Sequence, residues 1–191
     1  MASFKRNLVF QTKNKSLLKP NKASVLVCIY QNIDGKACFA LMERADDKGV
    51  HSGQICLPGG KTEKLDDSNW STAVREAEEE IGIKKSDLSF VKELSSIYIP
   101  PSNFIVYPYI ATYIKTSSFK IDINEVKKVF NVSLEALLSE KSVVEIDIHN
   151  DYMDEKEIPA YRFNGNIVWG ATAMILSEFK FLLKRLTTDK V

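Results

Sequence analysis

Two apolar segments near the start of the chain predict a β-hairpin. Ala23–Tyr30 (ASVLVCIY) and Lys36–Arg44 (KACFALMER) are each long enough and apolar enough to form a strand. The segment between them contains Asp34-Gly35, a pair of residues that favours a tight turn between two strands. We therefore expect these two segments to pair side by side in a sheet.

The remaining pattern predicts helices between and after further strands. A helix is expected from about Ser68 to Ile81, because Ser68 and the two aspartates before it are candidate N-caps and Gly82 marks the C-terminal end. Helical spacing also predicts helices at Ser133–Glu140 and at GATAMILSEFKFLLKRL. GQICLP is a short apolar run, and strands are expected at LSFVKELSSIYIP, NFIVYPYIATYI, VVEIDI, PAYRFNGN and IVW. This order favours an α/β fold with a mixed sheet covered by helices.

The chain is expected to form a single domain. A length of 191 residues is enough to build one full core. No internal repeat and no Gly-, Ser- or Pro-rich linker divides the sequence. Residues 1–22 are polar and rich in lysine, so we expect them to be an N-terminal lead-in and residues 23–188 to be the domain.

Composition and charge argue against nucleic acid and membrane partners. The chain is 45% hydrophobic and 27% charged, with a formal net charge of +1, so no strong overall field would attract a polyanion or an acidic membrane surface. No apolar run approaches the roughly 20 residues of a membrane span, and the N-terminus lacks the apolar core of a signal peptide. The three cysteines form no CxxC pair, which favours free thiols in a reducing compartment. A cytoplasmic protein is the resulting expectation.

Four glutamates stand within five positions of the predicted helix, at Glu76, Glu78, Glu79 and Glu80. Like charges one helical turn apart destabilise a helix, and these lie near the C-terminal end, where the helix dipole also disfavours negative charge. With a rotation of roughly 100° per residue, Glu79 and Glu80 lie roughly 60° and 40° on either side of Glu76. These three glutamates therefore share one side of the helix, whereas Glu78 points elsewhere.

The same rotation places the apolar residues of this helix on a different side. Trp70, Val74, Ala77 and Ile81 form a narrow arc centred roughly 130° from Glu76. This stripe is expected to pack against a core and to hold the helix in place.

The three glutamates that share a side have two interpretations. An acidic run on a helix is often simply a solvated face. Clustered carboxylates are also the hard oxygen ligands that Mg²⁺ or Mn²⁺ prefers, and Mg²⁺ commonly bridges carboxylates to substrate phosphates. A cation would remove both the charge repulsion and the unfavourable dipole interaction, so Mg²⁺ or Mn²⁺ is the cofactor that this cluster predicts.

The residues around the glutamates resemble a known motif. Gly60 and Arg75–Ile83 (REAEEEIGI) resemble the Nudix box, G-x5-E-x7-R-E-U-x-E-E-x-G-U, where U is a bulky apolar residue. Ala77 is a small residue at the first U position, Asp66 stands where the first glutamate would be, and one extra residue separates it from Arg75. The last two departures resemble the coenzyme A pyrophosphatase branch of the Nudix hydrolase family.

A second motif, upstream of the box, resembles the same branch. Its form is L-L-T-x-R-[SA]-x3-R-x3-G-x3-F-P-G-G. Ala40 and Met42 replace the first Leu and the Thr, Gly49 stands at the second Arg, and Leu57 replaces the Phe. The resemblance runs from about residue 23 to residue 186 and so covers nearly the whole chain. The matching positions are Leu41, Arg44, Ala45, Gly53, Pro58, Gly59 and Gly60.

The resemblance implies a fold and an activity. The fold would be a Nudix-type α/β/α sandwich with a mixed β-sheet between helices. The activity would be metal-dependent hydrolysis of the diphosphate bond of coenzyme A or acyl-CoA, giving 3′,5′-ADP and 4′-phosphopantetheine or its acyl derivative. One alternative is the same pyrophosphohydrolase chemistry on ADP-ribose, a dinucleoside polyphosphate or an oxidised nucleotide. A second is a nucleotide-sensing domain without catalysis, which the retention of Glu76, Glu79 and Glu80 disfavours.

The resemblance also implies roles for individual residues. Glu76, Glu79 and Glu80 would ligate the metal, and Glu76 and Glu79 are also candidates for catalytic proton transfer. Arg75 would support catalysis by holding the box loop through a nearby carboxylate, and Glu125 is a candidate base or further ligand. The expected partner is a small nucleotide substrate, and a homodimer is expected because many enzymes of this type are dimers. The substrate-binding candidates are Arg44, Gly53, Gln54, Gly59, Gly60, Lys61 and Asn103.

Overall fold

The computed structural model describes residues 19–45, 53–116, 119–150 and 153–188. Most of the predicted lead-in (residues 1–22) and Gly49 of the upstream motif lie outside these ranges. The helices are α1 (Asn69–Ile81), α2 (Leu134–Leu138) and α3 (Gly170–Thr188), and short 3₁₀ turns span Lys85–Asp87 and Glu140–Ser142. The strands are β1 (Asn21–Gln31), β2 (Ala37–Arg44), β3 (Ile55–Cys56), β4 (Gly59–Lys61), β5 (Leu88–Glu93), β6 (Ile97–Ile99), β7 (Phe104–Tyr113), β8 (Val126–Ser133), β9 (Val143–Asn150), β10 (Met153–Phe163) and β11 (Asn166–Val168).

Within these ranges, eight strands form one mixed sheet around β1. The strand order is β3-β2-β1-β7-β5, with β4 paired to β1, β6 to β7 and β8 to β2. β1 runs parallel to β7 and antiparallel to β2, with Ile29 opposite Phe39. The turn between β1 and β2 is closed by Asn32, whose Oδ1 accepts from the backbone N–H groups of Asp34 at 3.0 Å and Lys36 at 2.8 Å. The predicted hairpin and the predicted mixed sheet are both confirmed.

Alternate residues of β1 point into two separate cores, as expected for a strand that is buried on both faces. Leu26 and Cys28 pack in a cluster that includes Ala77 of α1. Val27 packs on the other face in a cluster that includes Phe179 of α3. The sheet therefore lies between helices, which is the predicted α/β/α sandwich.

A second, antiparallel sheet extends the α3 side of the molecule. Its strand order is β11-β10-β9. Tyr161 and Phe163 of β10 belong to the α3-side core, and the Phe163 ring lies edge-on to Phe39 at 6.3 Å between centroids. In the described part of the chain, no helix combines the length and the apolar character needed to cross a membrane.

The ends of α1 are set by local capping interactions. The Ser68 Oγ accepts from the Ser71 backbone N–H at 3.1 Å, and the Ser71 Oγ accepts from the Ser68 backbone N–H at 2.9 Å. This reciprocal pair satisfies two N–H groups at the helix start. At the other end Gly82 adopts a left-handed φ of 74° and donates its N–H to the Glu78 carbonyl at 3.0 Å. The predicted bounds of this helix are thus correct to within one residue.

The apolar stripe of α1 faces the sheet as its spacing predicts. Val74, Ala77 and Ile81 are buried. Trp70 is partly buried and packs edge-on against Tyr109 of β7, with 5.5 Å between ring centroids. This packing fixes the rotation of α1 about its axis and so fixes which glutamates turn inward.

Several regions differ from the expectations drawn from the sequence, including β4, where no strand was predicted, and β10, which begins at Met153 and not at Pro159. No strand was predicted at Val126–Ser133, which forms β8, because its segment KKVFN carries little apolar alternation. β8 forms through pairing with β2 over nearly its whole length. The segment LSFVKELSSIYIP, expected to be one strand, is divided into β5 and β6, because Ser95 turns aside and donates its backbone N–H and hydroxyl to the Glu178 carboxylate of α3.

Candidate metal and diphosphate site

Glu80 is buried at the junction of α1 and β4. Its side chain is 1% exposed, and its Oε2 accepts a hydrogen bond of 2.8 Å from the backbone N–H of Gly59. Its Oε1 lies 3.5 Å from Nη1 of Arg44, which is long for an ion pair. A buried carboxylate with so little compensation is costly to hold in its charged form.

The protonation equilibrium of Glu80 reflects this environment. Burial raises its pKa to about 8, and the negative charges of Glu76 and Glu125 act in the same direction. The Gly59 N–H and the Arg44 guanidinium oppose the rise but do not cancel it. The protein alone therefore does not supply the positive charge that an ionised Glu80 requires.

Glu76 lies directly against Gly60 of β4. A Cβ atom at Gly60 would stand 2.4 Å from the Glu76 Oε2, so a larger residue there would have to displace this carboxylate. Burial raises the pKa of Glu76, while Arg75 lowers it and the charges of Glu79 and Glu125 raise it further. The tertiary structure thus places Glu125, remote in the sequence, near the helix glutamates.

Arg75 binds three carboxylates with one guanidinium. Its Nε and Nη2 donate to the two oxygens of Asp66 at 3.0 and 3.1 Å. Its Nη2 lies 2.9 Å from the Glu76 Oε1, and its Nη1 donates to the Glu79 Oε2 at 2.8 Å. Nη2 also donates to the backbone carbonyl of Lys61 at 3.1 Å. Arg75 therefore lies where the predicted loop-holding role requires it, and the role itself stays a prediction.

Asp66 is the carboxylate that ties the loop before α1 to Arg75. The Arg75 hydrogen bonds lower the pKa of Asp66 to about 2. Its Oδ2 also accepts from the Thr72 hydroxyl and from the Glu63 backbone N–H, at 2.9 and 2.8 Å. The sequence pattern indicates Asp66 as a candidate N-cap and does not identify it as the partner of Arg75. One signal in the sequence could have identified this partner, because Asp66 occupies the first acidic position of the box motif.

The pairing of β2 with β8 brings Arg44 and Glu125 to the site. Arg44 stands opposite Val126 in the ladder, and the Ala45 N–H donates to the Glu125 carbonyl at 2.9 Å. Cys56 of β3 also lies here. Burial raises the pKa of its thiol to about 12, and the charge of Glu80 adds to this effect. The thiol is therefore neutral, and nothing in the sequence pattern pointed to its place beside the carboxylates.

Some of the predicted substrate contacts lie at the edge of this cluster. The backbone carbonyl of Gln54 accepts from the Arg44 N–H at 3.1 Å, and Gly53 before it adopts a left-handed φ of 68°. Lys61 contributes its carbonyl to Arg75, and its side chain is exposed. The described contacts thus join the Gln54 backbone to Arg44 and the Lys61 backbone to Arg75, and the roles of these residues toward substrate stay predictions.

Asn103 lies apart from the glutamates in the turn between β6 and β7. It has a left-handed φ of 53°, and its Oδ1 accepts from the Tyr98 hydroxyl at 3.0 Å. Its backbone carbonyl accepts from the Asn21 N–H at 2.9 Å. None of the described contacts joins Asn103 to the cluster, so its substrate-binding role stays a prediction.

The donor set fits a divalent cation in its chemistry. Carboxylate oxygens are the ligands that Mg²⁺ and Mn²⁺ prefer, and a cation would supply the charge that Glu80 lacks. Among the described residues, no group of three acidic, His or Cys side chains already converges on one point. The Arg75 guanidinium pairs with both Glu76 and Glu79. Glu76, Glu79 and Glu80 stay the predicted metal ligands, and Glu125 stays a further candidate.

Replacing Arg75 with lysine should lower both turnover and stability. Lysine keeps the positive charge but cannot donate to both oxygens of Asp66 while reaching Glu79. We expect a loss of about 2 kcal/mol in the free energy of unfolding and a fall in turnover of roughly tenfold to a hundredfold. Denaturant titration and steady-state assays on the purified variant measure the two effects. Wild-type turnover in this variant would contradict a positioning role for Arg75.

The stability of the metal-free protein should depend on pH through Glu80. Its pKa is raised in the folded protein from 4.5 to about 8, so folding favours the protonated form. Its stabilising contribution is complete below about pH 4.5 and is lost as the pH rises through about 8. In EDTA, we expect the free energy of unfolding of the wild type, relative to Glu80→Gln, to fall between these pH values. Parallel curves for the two proteins would contradict this.

Comparison with known proteins identifies a family for this architecture. The family model described as the NUDIX domain matches residues 20–149. These residues include the eight-stranded sheet, α1, the glutamates of α1 and Glu125.

Similar sequences carry the same family name. "Nudix hydrolase 15, mitochondrial" of Arabidopsis thaliana is 32% identical over 180 residues, covering 91% of this chain and 62% of that protein. "Nudix hydrolase 22, chloroplastic" of the same plant is 32% identical over 165 residues, covering 83% of this chain and 54% of that protein. "Uncharacterized Nudix hydrolase NudL" of Yersinia pestis is 32% identical over 136 residues, covering 71% and 67%. The chain thus spans less than two thirds of the length of the two plant relatives.

Solved structures share the fold at low sequence identity. The Nudix hydrolase RenU of M. smegmatis superposes with a TM-score of 0.57 at 14% identity, covering 91% of this chain and 89% of that one. A MutT/nudix family protein of Enterococcus faecalis also gives 0.57, at 18% identity and with 92% and 67% covered. These likenesses concern the fold alone, and they confirm the predicted Nudix-type sandwich.

Proposed function

The chain belongs to the NUDIX domain family, and we propose that it is a metal-dependent pyrophosphohydrolase whose substrate is coenzyme A or an acyl-CoA. The products would be 3′,5′-ADP and 4′-phosphopantetheine or its acyl derivative. The observation that carries the hydrolase proposal is Glu80, a buried carboxylate that lacks a compensating cation beside the Gly59-Gly60 backbone. Members of this family generally use divalent metal ions, and a buried, poorly compensated carboxylate is suited to hold one.

The chemistry assigns different tasks to the residues of the cluster. When bound, a divalent cation neutralises the diphosphate oxygens and lowers the pKa of a water molecule. Water adds to one phosphorus atom, the bridging P–O bond breaks, and the proton released from the water passes to a carboxylate. Glu76 and Glu79 are the proposed acceptors of that proton, with Glu125 as the alternative. Arg75 keeps both helix glutamates oriented, and the absence of side chains at Gly59 and Gly60 leaves the backbone accessible to a diphosphate.

The choice of coenzyme A rests on the upstream motif. Arg44 of that motif reaches Glu80, and the Pro58-Gly59-Gly60 segment forms the β4 side of the cluster. These contacts bring both halves of the branch signature together at one site, which supports a substrate of that branch. The departure at Gly49, where the signature has Arg, keeps ADP-ribose, dinucleoside polyphosphates and oxidised nucleotides as the second candidate class.

A product analysis separates these candidates. The purified protein is incubated with Mg²⁺ or Mn²⁺ and coenzyme A, acetyl-CoA, ADP-ribose or diadenosine tetraphosphate in parallel, and the products are resolved by mass. Release of 4′-phosphopantetheine well ahead of the other cleavages is expected. Preferred cleavage of another substrate would retain the metal site and overturn the coenzyme A assignment. Failure to cleave any of them with either metal would favour the nucleotide-sensing alternative.

The cellular location and the oligomeric state of the protein are tested by separate measurements. A cytoplasmic location and a homodimer are predictions from the sequence and the resemblance. The two plant relatives are named mitochondrial and chloroplastic, which makes fractionation of the source cells the relevant test of location. Light scattering on the purified chain measures its oligomeric state.

A further inference from the structure

A second cleft lies at the far end of β2 from the glutamates. It has a volume of about 450 Å³, within the range of roughly 300–1,000 Å³ that small-molecule sites occupy. Cys38, at the start of β2, contributes to its lining, whereas Arg44 ends the same strand beside Glu80. Arg44 is six residues further along the strand than Cys38, which corresponds to roughly 20 Å. The cleft is therefore distinct from the candidate metal site.

Two loops and one strand each contribute one cation to this cleft. Lys36 comes from the β1–β2 turn, Lys141 from the 3₁₀ turn at Glu140–Ser142, and Arg162 from the end of β10. All three are exposed. Within the described ranges, none of the three cations forms a salt bridge. The three cations come from different segments of the chain, so their convergence does not follow from the pattern of any single amphipathic element.

The acidic groups near the cleft offset these cations only in part; besides Asp34 in the lining, Glu135 acts electrostatically on the lining residue Cys38. Asp34 is the carboxylate in the lining, and its Oδ2 accepts from the Asn32 amide at 3.3 Å. Glu140, adjacent to Lys141 in the chain, is instead paired with Lys180 at 3.4 Å and with Lys184. The lining therefore carries three positive charges against one negative charge. Like charges gathered in one cleft repel one another, and a bound anion would relieve that repulsion.

We propose that this cleft is a second ligand site, which binds a phosphorylated small molecule. Arg162 offers the planar donor fork that suits a phosphate group, and the two lysines supply point charges on flexible stems. The amide groups of Asn131 and Asn164, which also line the cleft, are further donors. A phosphate or diphosphate group fits this donor set, and the volume leaves room for an attached nucleoside. Because the cations are exposed, binding should weaken as ionic strength rises.

The test uses the full chain without divalent metal, so that the anionic glutamate site does not attract phosphate. Inorganic pyrophosphate and AMP are titrated separately into ¹⁵N-labelled protein in EDTA, and amide chemical shifts are followed. Saturable shifts are expected at residues 32–36, 139–142 and 162–164. Similar affinities for the two probes would show that the phosphate groups are recognised. A higher affinity for AMP would show that the nucleoside contributes. Either result supports the site.

Matched charge variants make the test specific. The triple variant Lys36→Gln, Lys141→Gln, Arg162→Gln should weaken both probes more than tenfold. A control with the same change in net charge, Lys84→Gln, Lys85→Gln, Lys92→Gln, alters exposed lysines that do not line the cleft and should bind as the wild type does. Equal weakening in both triple variants, or shifts confined to residues around Glu76 and Glu80, would overturn the proposal. The test is independent of the proposed hydrolase function, because the amide chemical shifts report binding and require no turnover.

Discussion

Replacing Glu80 with glutamine is expected to lower turnover by about three orders of magnitude while leaving the fold intact. Glutamine has nearly the same size, and its amide oxygen can still accept from the Gly59 N–H, so the buried contact at 2.8 Å is retained. What disappears is the negative charge that would bind the cation. Because that charge is buried and poorly compensated, the variant should be at least as stable as the wild type in the absence of metal.

The matched control for this substitution is Glu78→Gln on the same helix. Glu78 is exposed and stands two residues away, so it removes an equal charge without entering the cluster. Turnover of the best substrate is measured for the three proteins with Mg²⁺ and with Mn²⁺, together with their melting temperatures. Near-normal turnover of Glu80→Gln, or a comparable loss in Glu78→Gln, would show that Glu80 is not the metal ligand.

Metal binding should also be visible without any substrate. Adding Mg²⁺ or Mn²⁺ to the metal-free wild type should raise its melting temperature, because a ligand that binds the folded state stabilises it by mass action. The same addition should leave Glu80→Gln nearly unchanged. An equal rise in both proteins would place the cation elsewhere on the molecule.

Replacing Gly59 with alanine is expected to destabilise the fold by at least about 3 kcal/mol. Gly59 has a φ of 146°, and an added Cβ would lie 2.2 Å from the Ser24 carbonyl oxygen and 2.6 Å from the Val25 Cα. Both are backbone atoms of β1, so neither can move without disturbing the central strand. The same shift would displace the N–H that donates to Glu80.

Gly35→Ala is a control that isolates this steric effect. Gly35 also has a left-handed φ, 74°, but nothing lies within 4 Å of its added Cβ. Its substitution should cost about 1–2 kcal/mol, the intrinsic cost of alanine in that conformation. Denaturant unfolding of both variants gives the comparison. Equal losses would mean that backbone conformation, and not the close approach of β4 to β1, explains the requirement for glycine.

Local chemistry was sufficient to predict α1, the side of the helix that its apolar residues bury and the side that Glu76, Glu79 and Glu80 share. Caps act between residues three or four apart, and the periodicity of apolar residues sets the buried side. Ser68, Gly82 and the Val74–Ile81 stripe therefore gave bounds that differ from the structure by one residue. The β1–β2 hairpin was predictable for the same reason, since its turn and both strands are contiguous in the chain.

Contacts between distant segments could not be predicted in this way. β8 has a weak apolar pattern of its own and forms by pairing with β2. That pairing, in turn, brings the segment of Glu125 beside Arg44, and the charge of Glu125 then acts on Glu76 and Glu80.

The sequence by itself determined which chemical groups are available. These are three glutamates on one side of a capped helix, the arginine directly before them, and two adjacent glycines that precede the helix. Only the tertiary structure decided how these groups are used. It buried Glu80 against Gly59, joined Arg75 to Asp66, and gathered three cations from separate segments at the opposite end of β2. The physical reason is that hydrogen-bonding and periodicity rules act over a few residues, whereas burial and charge compensation depend on which distant strands pair.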